Sequence, residues 1–97
     1  MIPVVITDDA DADILKIGDH IAADNPRRAA SFMMELRDKA LNVGTAPRAY
    51  PARSDLGPNL RMAVHGQYLI LFRILPKQVE VLRIFHGARD LPRALDE

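Results

Sequence analysis

The spacing of apolar residues changes several times along this chain, and each change marks an element. The opening PVVIT (Pro3–Thr7) is a β-branched run cut short by the acidic DDADAD, which predicts a brief first strand. Ala10, Ile14, Ile17 and Ile21 then recur at spacings of four, three and four, one face of a helix. Thr7 or Asp8 can cap it, and the aspartates of its first turn suit the positive end of the helix dipole. Asn25 before Pro26 starts a second helix, because proline at the first helical position gives up an N–H that has no partner there anyway. Its buried stripe is Ala29, Phe32, Met33, Leu36, Ala40 and Val43, and Gly44 is its expected stop. So few residues separate the helices that they should fold back as an antiparallel hairpin.

Residues 45–59, TAPRAYPARSDLGPN, hold three prolines and a glycine, which rules out a regular element. Loops this long in a small domain are often functional. Beyond it, LRMAVH alternates, Gly66-Gln67 turns the chain into YLILFRIL, and Pro76-Lys77-Gln78 turns it again into VEVLRIF. The middle run is apolar at nearly every position, as a strand covered on both faces must be. The expected fold is α+β, in the order β-α-α-β-β-β, with an antiparallel sheet packed against the helical hairpin. The expected core is Val5, Ile14, Ile17, Ile21, Phe32, Met33, Leu36, Leu60, Ile70, Phe72, Val81 and Ile84.

At 97 residues the chain has room for one domain, expected to span 1–97. Charged residues at 27% and hydrophobic ones at 48% fit a soluble globular protein. No apolar run approaches the roughly 18 residues of a membrane span, and the acidic start lacks the parts of a signal peptide. Cysteine is absent, which excludes disulfides and thiolate metal sites and fits a cytoplasmic location. The zero net charge hides an asymmetry. Residues 1–47 carry five basic against eight acidic side chains, and residues 48–97 carry eight basic against five acidic. Seven of those eight bases are arginine, the side chain suited to bidentate contact with carboxylate or phosphate, so the second half suggests an anionic partner.

The candidate chemistry is sparse. His20, His65 and His86 have no metal-ligand spacing, no glycine-rich phosphate loop exists, and Ser31 and Ser54 stand in no nucleophile context, so no metal or cofactor is expected. Arg61, Arg73 and Arg83 fall on three successive strands with Arg89 just beyond, and could converge on one face as a positive surface. The plainer alternative is a solvated face, or ion pairs with Glu80 and Asp90. RIFHGARDLP (Arg83–Pro92) groups histidine, arginine and aspartate around a glycine, either a catalytic cluster or the end of a strand.

Taken in order, DDADADILKIGDHIAADNP, RRAASFMMELRDKALNV, Leu56-Gly57 before Leu60-Arg61, HGQYLILFRI and VEVLRIFHGARDL resemble the RelE/ParE superfamily of bacterial type II toxins, most closely its ParE branch. The resemblance covers nearly the whole chain. It implies a toxin that blocks DNA gyrase without chemistry of its own and serves plasmid stabilisation. It also implies a ParD-like antitoxin, with a ribbon-helix-helix dimer and a tail wrapping the toxin, in an expected heterotetramer. Arg61, Arg73, Arg83, His86 and Arg89 are then partner-binding candidates, with the tail in the groove between hairpin and sheet. The ribosome-dependent RNA-cleaving branch relies instead on lysines and arginines of the sheet and a C-terminal tyrosine or histidine. Arg89 falls at one of its arginine positions, but its lysine positions hold Leu60 and Met62, a further arginine position holds Leu69, and no tyrosine follows. Leucine and methionine cannot move protons or bind phosphate. An mRNA endoribonuclease built from Arg61, Arg83, His86 and Arg89 is the alternative reading, and a member retained only as an antitoxin-bound co-repressor is a third.

Overall fold

Strand β1 (Val4–Ile6) leads through Thr7 into helix α1 (Asp8–Ala22), and a short link turns the chain back into helix α2 (Pro26–Asn42). Thr7 is the cap of α1: its hydroxyl accepts the Ala10 N–H at 3.2 Å and donates to the Val81 carbonyl at 2.9 Å, tying the helix start to the sheet. Asn25 caps α2 by accepting the Arg28 N–H at 3.1 Å. The computed structural model describes residues 1–89.

Strands β2 (Leu60–His65), β3 (Tyr68–Ile74) and β4 (Val79–His86) form the expected antiparallel meander, and the sheet order is β1-β4-β3-β2. The first strand departs from the antiparallel expectation. It joins β4 in parallel, Val4 opposite Val79 and Ile6 opposite Val81, so the sheet is mixed. The path of the chain explains this. Thr7 meets Val81 and Asp13 meets Ile84, so α1 continues onward in the direction of β1 along β4. Then α2 returns, and Gly44 accepts the Ile2 N–H at 3.0 Å. The second half therefore starts at the end of the molecule where β1 starts, and β2 and β4 run with β1.

Gly44 does not stop α2 through a left-handed residue. It lies in a 3₁₀ turn, Val43–Thr45, and an added Cβ there would fall 2.4 Å from the Ile2 carbonyl oxygen. Close backbone approach is its role.

The period-two rule sorts β3 onto both faces. Tyr68, Ile70, Phe72 and Ile74 pack with Ile14, Ile17, Phe32 and Leu36 between sheet and helices. Leu71, with Met62 and Phe85, forms a second small core on the other face, covered by Leu56, Leu60 and Leu69. Two expected core residues move accordingly. Leu60 belongs to the second face, and Val5, the outward residue of a three-residue edge strand, is 41% exposed. Ile21 and Met33 are partly buried against the main core.

The proline-rich segment after the 3₁₀ turns lies along β2. Arg53 N–H donates to the Leu60 carbonyl at 2.8 Å and Met62 N–H to the Pro51 carbonyl at 3.2 Å. The Tyr50 ring stands edge-on to Phe72 at 5.6 Å. Gly57 (φ 148°) and Asn59 (φ 63°) supply the left-handed backbone that swings the chain into β2.

Candidate functional site

The three strand arginines do not share a face. Arg61 stands opposite Phe72 and Arg73 opposite Leu60, which places Arg61 on the helix side and Arg73 on the other. On β4 the register slips between Leu71 and Phe72, whose partners are Arg83 and Val81, leaving Leu82 as a bulge. A bulge re-aims the side chains beside it. Arg83 consequently reaches α1, with Nε 2.9 Å from Asp13 Oδ2 and Nη2 3.2 Å from Oδ1.

That pair is built into the framework. The Asp13 side chain is 8% exposed and that of Arg83 26%. Asp13 Oδ2 also accepts the Ile84 N–H at 2.9 Å. Strand β1 ends at Ile6, opposite Val81, so from there on β4 lacks a strand along that edge. The aspartate takes the place of a strand carbonyl, satisfying a buried N–H and neutralising a half-buried guanidinium at once.

Arg61 is also engaged. Its Nη1 donates to the carbonyls of Tyr50 (2.6 Å) and Arg48 (3.2 Å), holding the proline-rich segment against the sheet. Arg73 is exposed, and among the described residues it makes no hydrogen bond or ion pair, even with Glu80 directly across on β4.

His86 answers the question posed by RIFHGARDLP. It is the last residue of β4 and nearly buried. Its Nδ1 accepts the N–H groups of Ala88 (3.2 Å) and Arg89 (3.3 Å), and Nε2 lies 3.0 Å from Gln67 Oε1. Two backbone donors at Nδ1 assign the ring hydrogen to Nε2, which donates to the Gln67 carbonyl oxygen. As far as Arg89, His86 ends the strand, its imidazole locking the turn. Asp90, offered from the sequence as an ion-pair partner, lies outside the described residues.

Arg89 projects from that turn over a cleft of about 230 Å³ shared with Lys16, Ile17, His20 and Tyr68. Lys16 and His20 are not among the partner-binding candidates expected from the sequence. Their spacing of four on α1 was the available signal.

Two electrostatic clusters complete the surface. Glu35 bonds Arg28 and lies 3.1 Å from His65 Nε2. Arg28, then His65, holds its carboxyl below the usual glutamate range, and Glu35 in turn raises Arg28. Arg53 likewise holds Asp55 low, through a bond of 2.8 Å. Among the described residues no group of three or more His, Asp or Glu side chains could hold a metal ion. No helix there is long and apolar enough to cross a membrane.

Most of the space between hairpin and sheet is filled by the main core. Open apolar grooves lie elsewhere. One, about 330 Å³, runs over the outer side of the hairpin between Ile14 and Leu15 of α1 and Met33 and Met34 of α2. Leu15 is 60% and Met34 68% exposed, and the Asp11–Arg37 ion pair at 2.7 Å forms one edge. A second groove, about 380 Å³, lies between Leu41 and residues 1–4. Met34 and Leu41 are two helical turns apart on one stripe of α2, so the grooves line up along that helix.

The family described as the ParE toxin of type II toxin–antitoxin systems matches residues 4–91. The chain belongs to the ParE toxin family. Compared with curated protein sequences one by one, it matches none. Among solved structures it is similar to a chain of the chromosomal ParDE toxin–antitoxin system from P. aeruginosa, with a TM-score of 0.76 at 21% identity over 89% of this chain and 96% of that one. It is also similar to a chain of the toxin–antitoxin complex RelBE2 from Mycobacterium tuberculosis, with a TM-score of 0.62 at 26% identity over 88% and 96%. This ParE-family chain thus carries the α+β fold that its residue pattern implied, within the RelE/ParE superfamily.

Proposed function

We propose that this ParE-family toxin acts in the cytoplasm on DNA gyrase without catalysing a reaction, and that a ParD-like antitoxin neutralises it in a heterotetramer. The observation that carries the proposal is the fate of three of the four side chains a nuclease would need, Arg89 being the exception. Arg61 holds backbone carbonyls, Arg83 is paired with Asp13, and His86 spends Nδ1 on its own turn. A general base must have a lone pair free for the proton it abstracts, and a phosphate-binding arginine needs its fork free. Leu60, Met62 and Leu69 belong to an apolar cluster with Leu71 and Phe85.

The aligned grooves along α2 support the antitoxin reading. An amphipathic helix or extended tail docks on a long apolar track with charged edges, and Leu15, Met34 and Leu41 provide one. This track replaces the groove between hairpin and sheet as the proposed seat of the tail. Arg73 and Arg89 remain the candidates of the original five whose side chains are available to acidic partner residues.

The similarity to the RelBE2 complex is the observation that favours the second reading, a ribosome-dependent endoribonuclease. Induction in a bacterial host separates the two. A DNA damage response that precedes any loss of mRNA supports gyrase, whereas early cleavage of translated mRNA supports the nuclease. Failure of the toxin to co-purify with the product of a short upstream reading frame encoding an acidic, helix-rich protein would remove the antitoxin proposal.

A further inference from the structure

The cleft beneath Arg89 is electrostatically one-sided. It lies on the helix side of the sheet, where α1 passes the start of β3, and among the described residues its lining is Lys16, Ile17, His20, Tyr68 and Arg89, with no carboxylate. Lys16 and His20 come from one face of α1, and Arg89 from the turn that His86 pins.

Among the described residues none of these three side chains makes a hydrogen bond or an ion pair. Elsewhere Arg28, Arg37, Arg53, Arg61 and Arg83 are engaged, whereas Arg73 has no such partner among the described residues. Tyr68 is 8% exposed with its ring against Phe32 and His86, and its hydroxyl has no hydrogen-bond partner among the described residues. Four donors supplied by a helix, a strand and a pinned turn thus border one space, with no acceptor for them among the described residues. Like charges held together repel, and an anion placed between them removes that repulsion and gains charge-assisted hydrogen bonds. The Ile17 side chain and Tyr68 ring form the apolar side of the cleft.

We infer that this cleft is an oxyanion site that takes a phosphomonoester group. Lys16 and Arg89 supply the positive charge, and the His20 ring and Tyr68 hydroxyl add donors. Phosphate, with three acceptor oxygens and nearly two charges, matches donors arriving from three elements better than a planar carboxylate does. A volume of about 230 Å³ also leaves room for part of the group esterified to the phosphate. The site lies across the sheet from Leu60, Met62 and Leu69, and of the nuclease candidates Arg61, Arg83, His86 and Arg89 it includes Arg89.

Calorimetric titration of the whole chain with inorganic phosphate, adenosine 5′-monophosphate and adenosine tests the inference, with the His20 ring NMR signal followed in the same series. Saturable phosphate binding that moves the His20 signal is expected. Lys16→Ala and Arg89→Ala should each weaken it by about tenfold or more, since one charge-assisted bond is lost. Both side chains are exposed, so circular dichroism and thermal midpoint should stay unchanged. Lys39→Ala, whose ammonium lies over Tyr50, should leave binding intact. Tighter binding of the monophosphate than of phosphate, with adenosine silent, identifies a nucleotide phosphate as the source. Equal affinities identify free phosphate. Titration without saturation, adenosine binding as well as its monophosphate, or binding unaltered in Arg89→Ala overturns the inference.

Discussion

Replacing Asp13 by alanine removes three hydrogen bonds at one stroke: two from the Arg83 guanidinium and one from the Ile84 N–H. Breaking a buried ion pair by deleting one partner costs about 3–5 kcal/mol, and orphaning a buried N–H about 1–3 kcal/mol. These figures overlap, because both include desolvation of groups left behind. The Arg83 side chain is 26% exposed and can recover part of its hydration, which favours the lower end. The expected loss is about 3 kcal/mol, a large fraction of the stability of so small a domain. The thermal midpoint should fall by roughly 12–24 °C. Urea unfolding followed by circular dichroism should show a lower midpoint at an unchanged slope, because the surface exposed on unfolding is the same. Arg83→Ala and the double substitution complete a cycle whose coupling should exceed about 1 kcal/mol. A loss below about 1 kcal/mol for Asp13→Ala, or additive single effects, would refute the claim that this pair holds α1 to the edge of β4.

Further outcomes follow from other contacts. Phe32→Ala, which empties a site between His65 and Tyr68, should cost about 3–5 kcal/mol in the same unfolding assay. Gly44→Ala should destabilise by about 1–3 kcal/mol, because its Cβ meets the Ile2 backbone oxygen. Gly18→Ala should be milder in the same assay, since there the clash is with the movable end of Met33. The Glu35 carboxyl is held low in the folded state, so its contribution is present above the unfolded value of about 4.3 and is lost as pH falls through the folded one. The urea midpoints of wild type and Glu35→Gln should therefore differ at pH 7 and converge as pH falls through the folded value.

Much of the fold was legible because it rests on local rules. Period 3.6 marked both helices, Thr7 and Asn25 announced their starts, and the unbroken apolar run of β3 foretold a strand covered on both faces. What escaped was set by pairing across long sequence distances. Counting alternate positions on three strands suggested convergent arginines, but a register offset puts Arg61 and Arg73 on opposite faces, and one bulge at Leu82 turns Arg83 toward α1. Its partner Asp13 lies 70 residues away, in a stretch that read simply as an acidic helix start. The parallel β1 depended on how far α1 continues past that strand, which no local pattern encodes. Lys16 and His20 were visible as neighbours on a helix; their meeting with Arg89 required the crossing of α1 over the sheet.

The central claim is that this ParE-family chain is a toxin directed at gyrase and lacks nuclease chemistry. Supercoiling of relaxed plasmid by purified gyrase, with increasing amounts of the purified chain, tests it most directly. The account predicts that supercoiling stops or cleaved DNA accumulates. Undiminished supercoiling at a large excess of toxin, together with codon-dependent cuts in translated mRNA that His86→Ala abolishes, would contradict it.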